Sequence, residues 1–268
     1  MARQPFRLLT LDEYGDAIGR AATVLRANAT AAPLERPVPT CPGWTLLDLV
    51  THTGMVHRWA ADRLRGEAEL DPAGHEATGR AAPDVLGWFD TGATALLQSI
   101  VDAPDDLAAP VFLADAPPAR LFWARRQAHE TTIHAVDALG ARLGRAPEPA
   151  QTWIRPALAL DGIDELLCGF VARGARRAVH APEPTTLLVH PQGSDTAWHV
   201  TLSPDRPAVT RRVDPTAGPV PDAEHLLATP SVAAYLVLWN RADDSWRAAD
   251  GAWPEQDWWR GVMTVTWA

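Results

Sequence analysis

Apolar residues recur at helical spacing through the first half of the chain. Leu11, Tyr14, Ile18, Ala21 and Leu25 fall on one face, and Thr10 with Glu13 three residues later forms the capping box that starts such a run. The pattern predicts a helix ending near Ala29. A proline-rich, extended stretch follows, Arg36-Pro37-Val38-Pro39-Thr40-Cys41-Pro42-Gly43-Trp44. Thr45 and Asp48 form a second capping box, and the spacing beyond it predicts a helix to about Leu64. A third helix is expected over residues 84–101. A fourth should start near Pro118, because proline is tolerated in a first turn, and end near Gly140. Four helices of this length suggest a bundle.

The period changes after residue 145. Arg145 to Ala150 (RAPEPA) reads as a linker. Residues 161–173 keep helical spacing. TTLLVH (185–190) and AWHVTL (197–202) read as strands around the turn-forming PQGSD, so a hairpin is expected. Residues 231–241 predict a helix. The tail from Trp258 to Trp267 alternates in part and predicts a closing strand. The fold class expected is α+β, with a four-helix bundle over residues 1–145 and a smaller mixed α/β domain over residues 150–268.

Composition narrows the function classes. A chain of 268 residues with 47% hydrophobic and 21% charged positions can bury a full core. Its net charge of −9 lacks the basic footprint that nucleic-acid binding needs and disfavours anionic membrane surfaces. Two cysteines far apart, Cys41 and Cys168, exclude a disulfide framework and fit a reducing compartment. The first residues carry charge and no continuous apolar run, and no stretch reaches the 18 or so apolar residues of a membrane span. The expectation is a cytoplasmic protein acting on small molecules, with neither nucleic acid nor membrane as partner.

One set of residues carries chemistry. Glu130 and His134 are four apart on the fourth expected helix, hence on one face. His52, with Leu49 and Val56 beside it, faces the interior from the second helix. Two histidines and a carboxylate can hold a divalent ion and leave positions open, as catalytic sites do. Spacing alone leaves two plainer readings open: an exposed ion pair for Glu130 and His134, and a core histidine bonded to a backbone carbonyl for His52. His57 lies about 140° around the helix from His52 and is not expected to share an ion with it. Cys41 has no base at fixed spacing and reads as a small packed hydrophobe.

The surrounding residues resemble a known family. Val38-Pro39-Thr40-Cys41-Pro42-Gly43-Trp44-Thr45, Asp48-Leu49-Val50-Thr51-His52 and Val56-His57-Arg58-Trp59-Ala60 are similar to the N-terminal signature of the mycothiol-dependent maleylpyruvate isomerase family. His129-Glu130-Thr131-Thr132-Ile133-His134-Ala135-Val136-Asp137 resembles its Glu-x-x-x-His-x-x-Asp helix. Asp161-Gly162-Ile163-Asp164-Glu165 resembles the start of its C-terminal domain, and the stretch from Ala228 to Arg241 its late helix. The resemblance implies a DinB-like four-helix bundle, metal ligands at His52, Glu130 and His134, an ion that is usually zinc, and mycothiol as co-substrate. It implies an active-site role for Arg241 and a supporting one for Asp137. The implied activity is isomerisation or S-transfer on a small electrophilic metabolite. A non-catalytic protein of the same fold, binding a ligand or partner, is the alternative. The family often has arginine before the glutamate, and here that position is His129.

Overall fold

The computed structural model describes residues 6–67, 69–173, 179–242 and 253–265. The chain divides into two compact units. One comprises residues 9–112 and 116–147, and the other residues 1–8, 113–115 and 148–268.

The first unit is helical. Helices α1 (Leu11–Thr30), α2 (Leu46–Arg65), α4 (Val85–Asp102) and α5 (Ala119–Leu143) form the bundle, with the shorter α3 (Pro72–Ala81) between α2 and α4. Helix α1 packs on α4 and α5, and α2 packs on the same two. Both expected capping boxes are formed. Thr10 accepts from the Glu13 N–H and Thr45 from the Asp48 N–H, and each acid accepts in return from its cap's backbone. Helix α3 escaped the sequence reading because only Gly79 within it is buried, which leaves no apolar period to detect. Asp71 caps it, and Pro72 opens its first turn.

Helix α5 runs past the expected stop at Gly140. Gly140 is helical; its carbonyl accepts from Gly144 at 2.8 Å and from Arg145 at 3.2 Å. The turn comes at Gly144, whose φ of +73° suits glycine. Gly140 instead permits a close approach, since a Cβ there would lie 3.2 Å from the Arg145 carbonyl.

The second unit is α/β. Helix α6 (Pro156–Asp164) continues as a π-helix (Glu165–Val171). A mixed four-stranded sheet follows, in the order β3-β2-β1-β4, from β1 (Thr185–Val189), β2 (Ala197–Leu202), β3 (Val209–Val213) and β4 (His225–Leu227). The expected hairpin is β1–β2, antiparallel with Thr185 opposite Leu202. Strand β3 extends it antiparallel, and β4 joins β1 in parallel. Strand β3 reads VTRRV and is mostly exposed, and β4 is three residues long, so neither gives an alternating signal.

Helix α7 (Ser231–Leu238) stops three residues before the expected end, and α8 (Gln256–Val262) replaces the closing strand expected from Trp258. The buried residues there are Gln256, Trp259 and Met263, a helical spacing that the scattered tryptophans masked. The Trp259 indole N–H donates to the Leu238 carbonyl at 2.8 Å and Gln256 to that of Val237 at 2.9 Å, tying α8 to α7. Trp267 lies outside the described residues. No described helix is long and apolar enough to cross a membrane.

Register carries one buried charge cluster. Trp198 on β2 sits opposite Arg212 on β3. Both donate to the fully buried Asp164: Trp198 Nε1 to Oδ1 at 2.9 Å, Arg212 Nε to Oδ1 at 2.5 Å and Nη2 to Oδ2 at 2.8 Å. Arg212 also meets Asp115 at 2.6 Å. Hydrogen bonding to Asp164 holds the guanidinium firmly protonated.

Candidate metal centre

Every residue of α5 from Phe122 to Ala141 is buried, including charged Arg125, Arg126, Glu130 and Asp137. Charged side chains are rarely buried unless partnered, so a polar helix at the centre of a bundle marks a built site.

His52 of α2 and Glu130 and His134 of α5 meet there. Glu130 Oε1 lies 3.4 Å from His52 Nε2 and 3.1 Å from His134 Nε2, and all three ligand atoms fall within 4.8 Å of one another. Ligand atoms held about 2.0–2.2 Å from a tetrahedral zinc stand roughly 3.3–3.6 Å apart. The set therefore fits a divalent ion, with one oxygen and two imidazole nitrogens as donors. The Glu130–His134 pair is buried rather than exposed, and His52 Nε2 faces the Glu130 carboxylate.

Neighbouring groups hold the Glu130 and His134 side chains in place. Asp137 accepts from His134 Nδ1 at 2.9 Å, from the Thr40 hydroxyl at 2.5 Å and from the Cys41 thiol at 3.3 Å. This orients the imidazole, as carboxylates commonly do behind a metal-binding histidine. On the other side, Arg126 Nη2 donates to Glu130 Oε2 at 3.0 Å, so the carboxylate turns Oε1 to the histidines.

The Thr40–Trp44 turn belongs to a tight loop. Pro37 bridges Thr45, the Val38 N–H meets the Trp44 carbonyl at 2.9 Å, and Gly43 takes a φ of +86°. That closure aims Thr40 and Cys41 at Asp137. It also sets the Trp44 ring 4.8 Å from His52 and 6.0 Å from His134, centroid to centroid. Cys41 is thus a half-buried donor rather than a packed hydrophobe. With His134 and Asp137 it forms a second cluster of ligand type, whose Asp137 already accepts from three groups.

Sequence reasoning missed Arg126, Thr40 and Trp44. Arg126 had a signal, a basic residue four before Glu130 on the same face. His57 is fully buried away from the set; its Nε2 lies 2.9 Å from the Thr131 hydroxyl. Thr131 donates to the Gln127 carbonyl, so His57 Nε2 is the donor to Thr131. Burial lowers the His57 pKa to about 3 against the opposing charge of Glu130, so it stays neutral. Arg241 follows α7 in the second unit, where Nη1 donates to the Trp239 carbonyl at 2.8 Å.

Electrostatics tie ion binding to a proton. Burial opposes a charge on His134, but Glu130 and the Asp137 hydrogen bond outweigh it and raise its pKa to about 9. Burial likewise opposes the Glu130 charge, and His134, His52 and Arg126 overcome it and hold the carboxylate well below its usual range. Without an ion His134 is an imidazolium at neutral pH, donating to Asp137 and Glu130. A cation at Nε2 must displace that proton. Zinc binding at pH 7 should release about one proton from His134, measured by calorimetry in buffers of different ionisation enthalpy. The release should fade above the pKa of about 9. A raised folded pKa stabilises below the ordinary 6.5 and loses that contribution as pH rises through 9. The metal-free protein should accordingly melt lower at pH 9.5 than at pH 6.5, and buffer-independent heats would contradict the assignment.

Comparison with known proteins adds to this geometry. Residues 16–139 match the family model described as the mycothiol maleylpyruvate isomerase N-terminal domain. Two solved structures of the mycothiol-dependent maleylpyruvate isomerase, one of them a histidine-to-alanine variant, share the fold. The variant superposes with a TM-score of 0.61 and the other with 0.59, each at 16% identity over 92% of this chain and 96% of theirs. No curated protein sequence matches the chain.

Proposed function

We propose that this chain, whose residues 16–139 belong to the mycothiol maleylpyruvate isomerase N-terminal domain family, is a thiol-dependent enzyme. It acts on a small electrophilic metabolite, with mycothiol as co-substrate and a divalent ion, zinc as is usual in the family, held by His52, Glu130 and His134. The observation that carries this reading is the convergence of those three buried ligand atoms.

The ion, when bound, supplies positive charge that lowers the pKa of a thiol, otherwise near 8.5 and mostly protonated at neutral pH. The protein's own residues do the rest. Asp137 holds His134 with Nε2 inward, and Arg126 neutralises the outer oxygen of Glu130. Trp44 packs against both histidine rings. Arg241, to which the family resemblance gives an active-site role, carries a guanidinium whose bidentate geometry suits a carboxylate. In the isomerase reaction the thiol sulfur adds to a double bond conjugated to a carbonyl. Rotation follows about the bond made single, and elimination returns the thiol. In a transferase the thioether would stay. His129, where the family often has arginine, gives reason to test electrophiles other than maleylpyruvate. Two free cysteines fit a reducing cytoplasm.

The test is turnover of maleylpyruvate, followed by loss of its absorbance and by product analysis, with and without mycothiol. The expected result is isomerisation that needs the thiol and falls about a hundredfold or more in His52→Ala, at or beyond the roughly 10–100-fold cost of losing a residue that only supports a metal ligand. Thiol-independent turnover, or none across a panel of Michael acceptors, would contradict the reading.

A further inference from the structure

Four polar atoms on α5 lie buried without a hydrogen-bond partner among the described residues: Thr132 Oγ1, about 140° around the helix from Gln127, and Gln127 Oε1, Gln127 Nε2 and Trp123 Nε1, which share one face. Gln127 is fully buried and Trp123 is 1% exposed. Burying a donor or acceptor unpaired costs free energy, and nearly all such groups in folded proteins are paired.

Their position relates them to the metal centre. At 100° per residue Trp123, Gln127, Glu130 and His134 share a stripe about 60° wide. Ring contacts fix which helix that stripe faces. His134 meets His52 of α2 with centroids 5.2 Å apart, and Trp123 meets Trp59 of α2 at 4.9 Å. The helices therefore run antiparallel here, and Gln127 falls between the two contacts. Over that interval α2 offers Met55 and Val56, both buried and apolar. Met55 and Val56 offer Gln127 no oxygen or N–H to pair with.

We propose that Gln127, with the Trp123 indole N–H, binds the oxygens of the substrate's dioxo-acid end, next to the ion-binding set. The inference rests on the enzymatic reading above and names the part of the substrate it engages. The unpaired atoms of this stripe are two kinds of donor and one acceptor. An enolised 2,4-dioxo acid presents the complement: keto and carboxylate oxygens that accept, and an enol hydroxyl that donates. From Trp123 to Glu130 the stripe rises about 10 Å, close to the length of an extended six- or seven-carbon acid. As the thiol adds, charge spreads onto the carbonyl oxygen, where fixed neutral donors are effective. Gln127 and Trp123 then touch substrate and act on its polar end, while the ligand triad acts at the thiol.

The test uses zinc-loaded protein and acetopyruvate, a 2,4-dioxo acid without an electrophilic double bond, titrated calorimetrically without thiol. Two variants remove the polar atoms: Gln127→Leu, which keeps the volume, and Trp123→Phe, which also gives up part of the ring. Binding should weaken about tenfold or more in each, as expected for a lost hydrogen bond. Zinc content should stay at the wild-type level in both, and the melting temperature of Gln127→Leu should be unchanged or higher, because a buried unpaired group has been removed. A protein-supporting role would do the opposite. A Gln127→Leu variant that melts lower or fails to fold, or variants that bind acetopyruvate as wild type does, would overturn the subsite. Wild type that does not bind acetopyruvate would overturn it as well. Binding that depends on Gln127 in a protein showing no thiol-dependent turnover would keep the subsite and remove the proposed reaction.

Discussion

Replacing Glu130 with alanine should destabilise the metal-free protein by about 3–5 kcal/mol, the usual cost of removing one partner from a buried ion pair. In a chain of this size that lowers the melting temperature by on the order of 10 °C. The reason is what stays behind. Arg126 is 2% exposed and loses the oxygen it meets at 3.0 Å. His134 loses the carboxylate that raises its pKa, so its protonated form loses support as well. Part of the loss should be recoverable by removing the other charge. Arg126→Met added to Glu130→Ala should be more stable than Glu130→Ala alone, with a coupling of about 1–3 kcal/mol. Urea unfolding of the four proteins of this cycle measures it. Additive effects would mean that Arg126 and Glu130 do not depend on each other. The rescued double variant should still bind no zinc, which separates the folding role of the pair from the ligand role of Glu130.

The second large effect belongs to the α/β unit. Arg212→Met should cost about 2–4 kcal/mol, toward the low side of the range for a broken buried pair because the Arg212 side chain is 38% exposed. It strips two charged hydrogen bonds from Asp164, which is fully buried and would keep the Trp198 indole N–H. Arg212→Lys keeps the charge and loses the planar fork, so its cost should be smaller. The comparison is made by chemical denaturation with tryptophan fluorescence, since Trp198 reports on this cluster. Equal stability of wild type and Arg212→Met would show that the Trp198 indole N–H and solvent suffice for Asp164.

Much of the helical bundle could be read from local signals. Capping boxes at Thr10 and Thr45 and the apolar period behind each define α1 and α2 to within a residue or so at either end. The triad could be proposed because i, i+4 spacing fixes Glu130 and His134 on one face. What spacing could not supply was the third dimension. The facing of His52 toward Glu130 depends on how α2 packs against α5, and the roles of Thr40 and Cys41 on a loop closed nearly a hundred residues from Asp137. Where burial carries no apolar period, as in α3, or exposure erases alternation, as in β3, the sequence holds no pattern for periodicity to detect. At the tail, tryptophans spaced for partial alternation concealed the helical set Gln256, Trp259 and Met263. Arg126 was visible and overlooked, because a buried arginine four residues before a ligand resembles an ordinary helix pair until its burial is known.

The central claim is that His52, Glu130 and His134 together hold one divalent ion. Elemental mass spectrometry of the purified protein and of His52→Ala, Glu130→Ala and His134→Ala tests it most directly. The account predicts close to one equivalent of zinc in wild type and a large loss in every variant, with Gln127→Leu unchanged. Wild type that carries no metal and takes none up when zinc is supplied would contradict it.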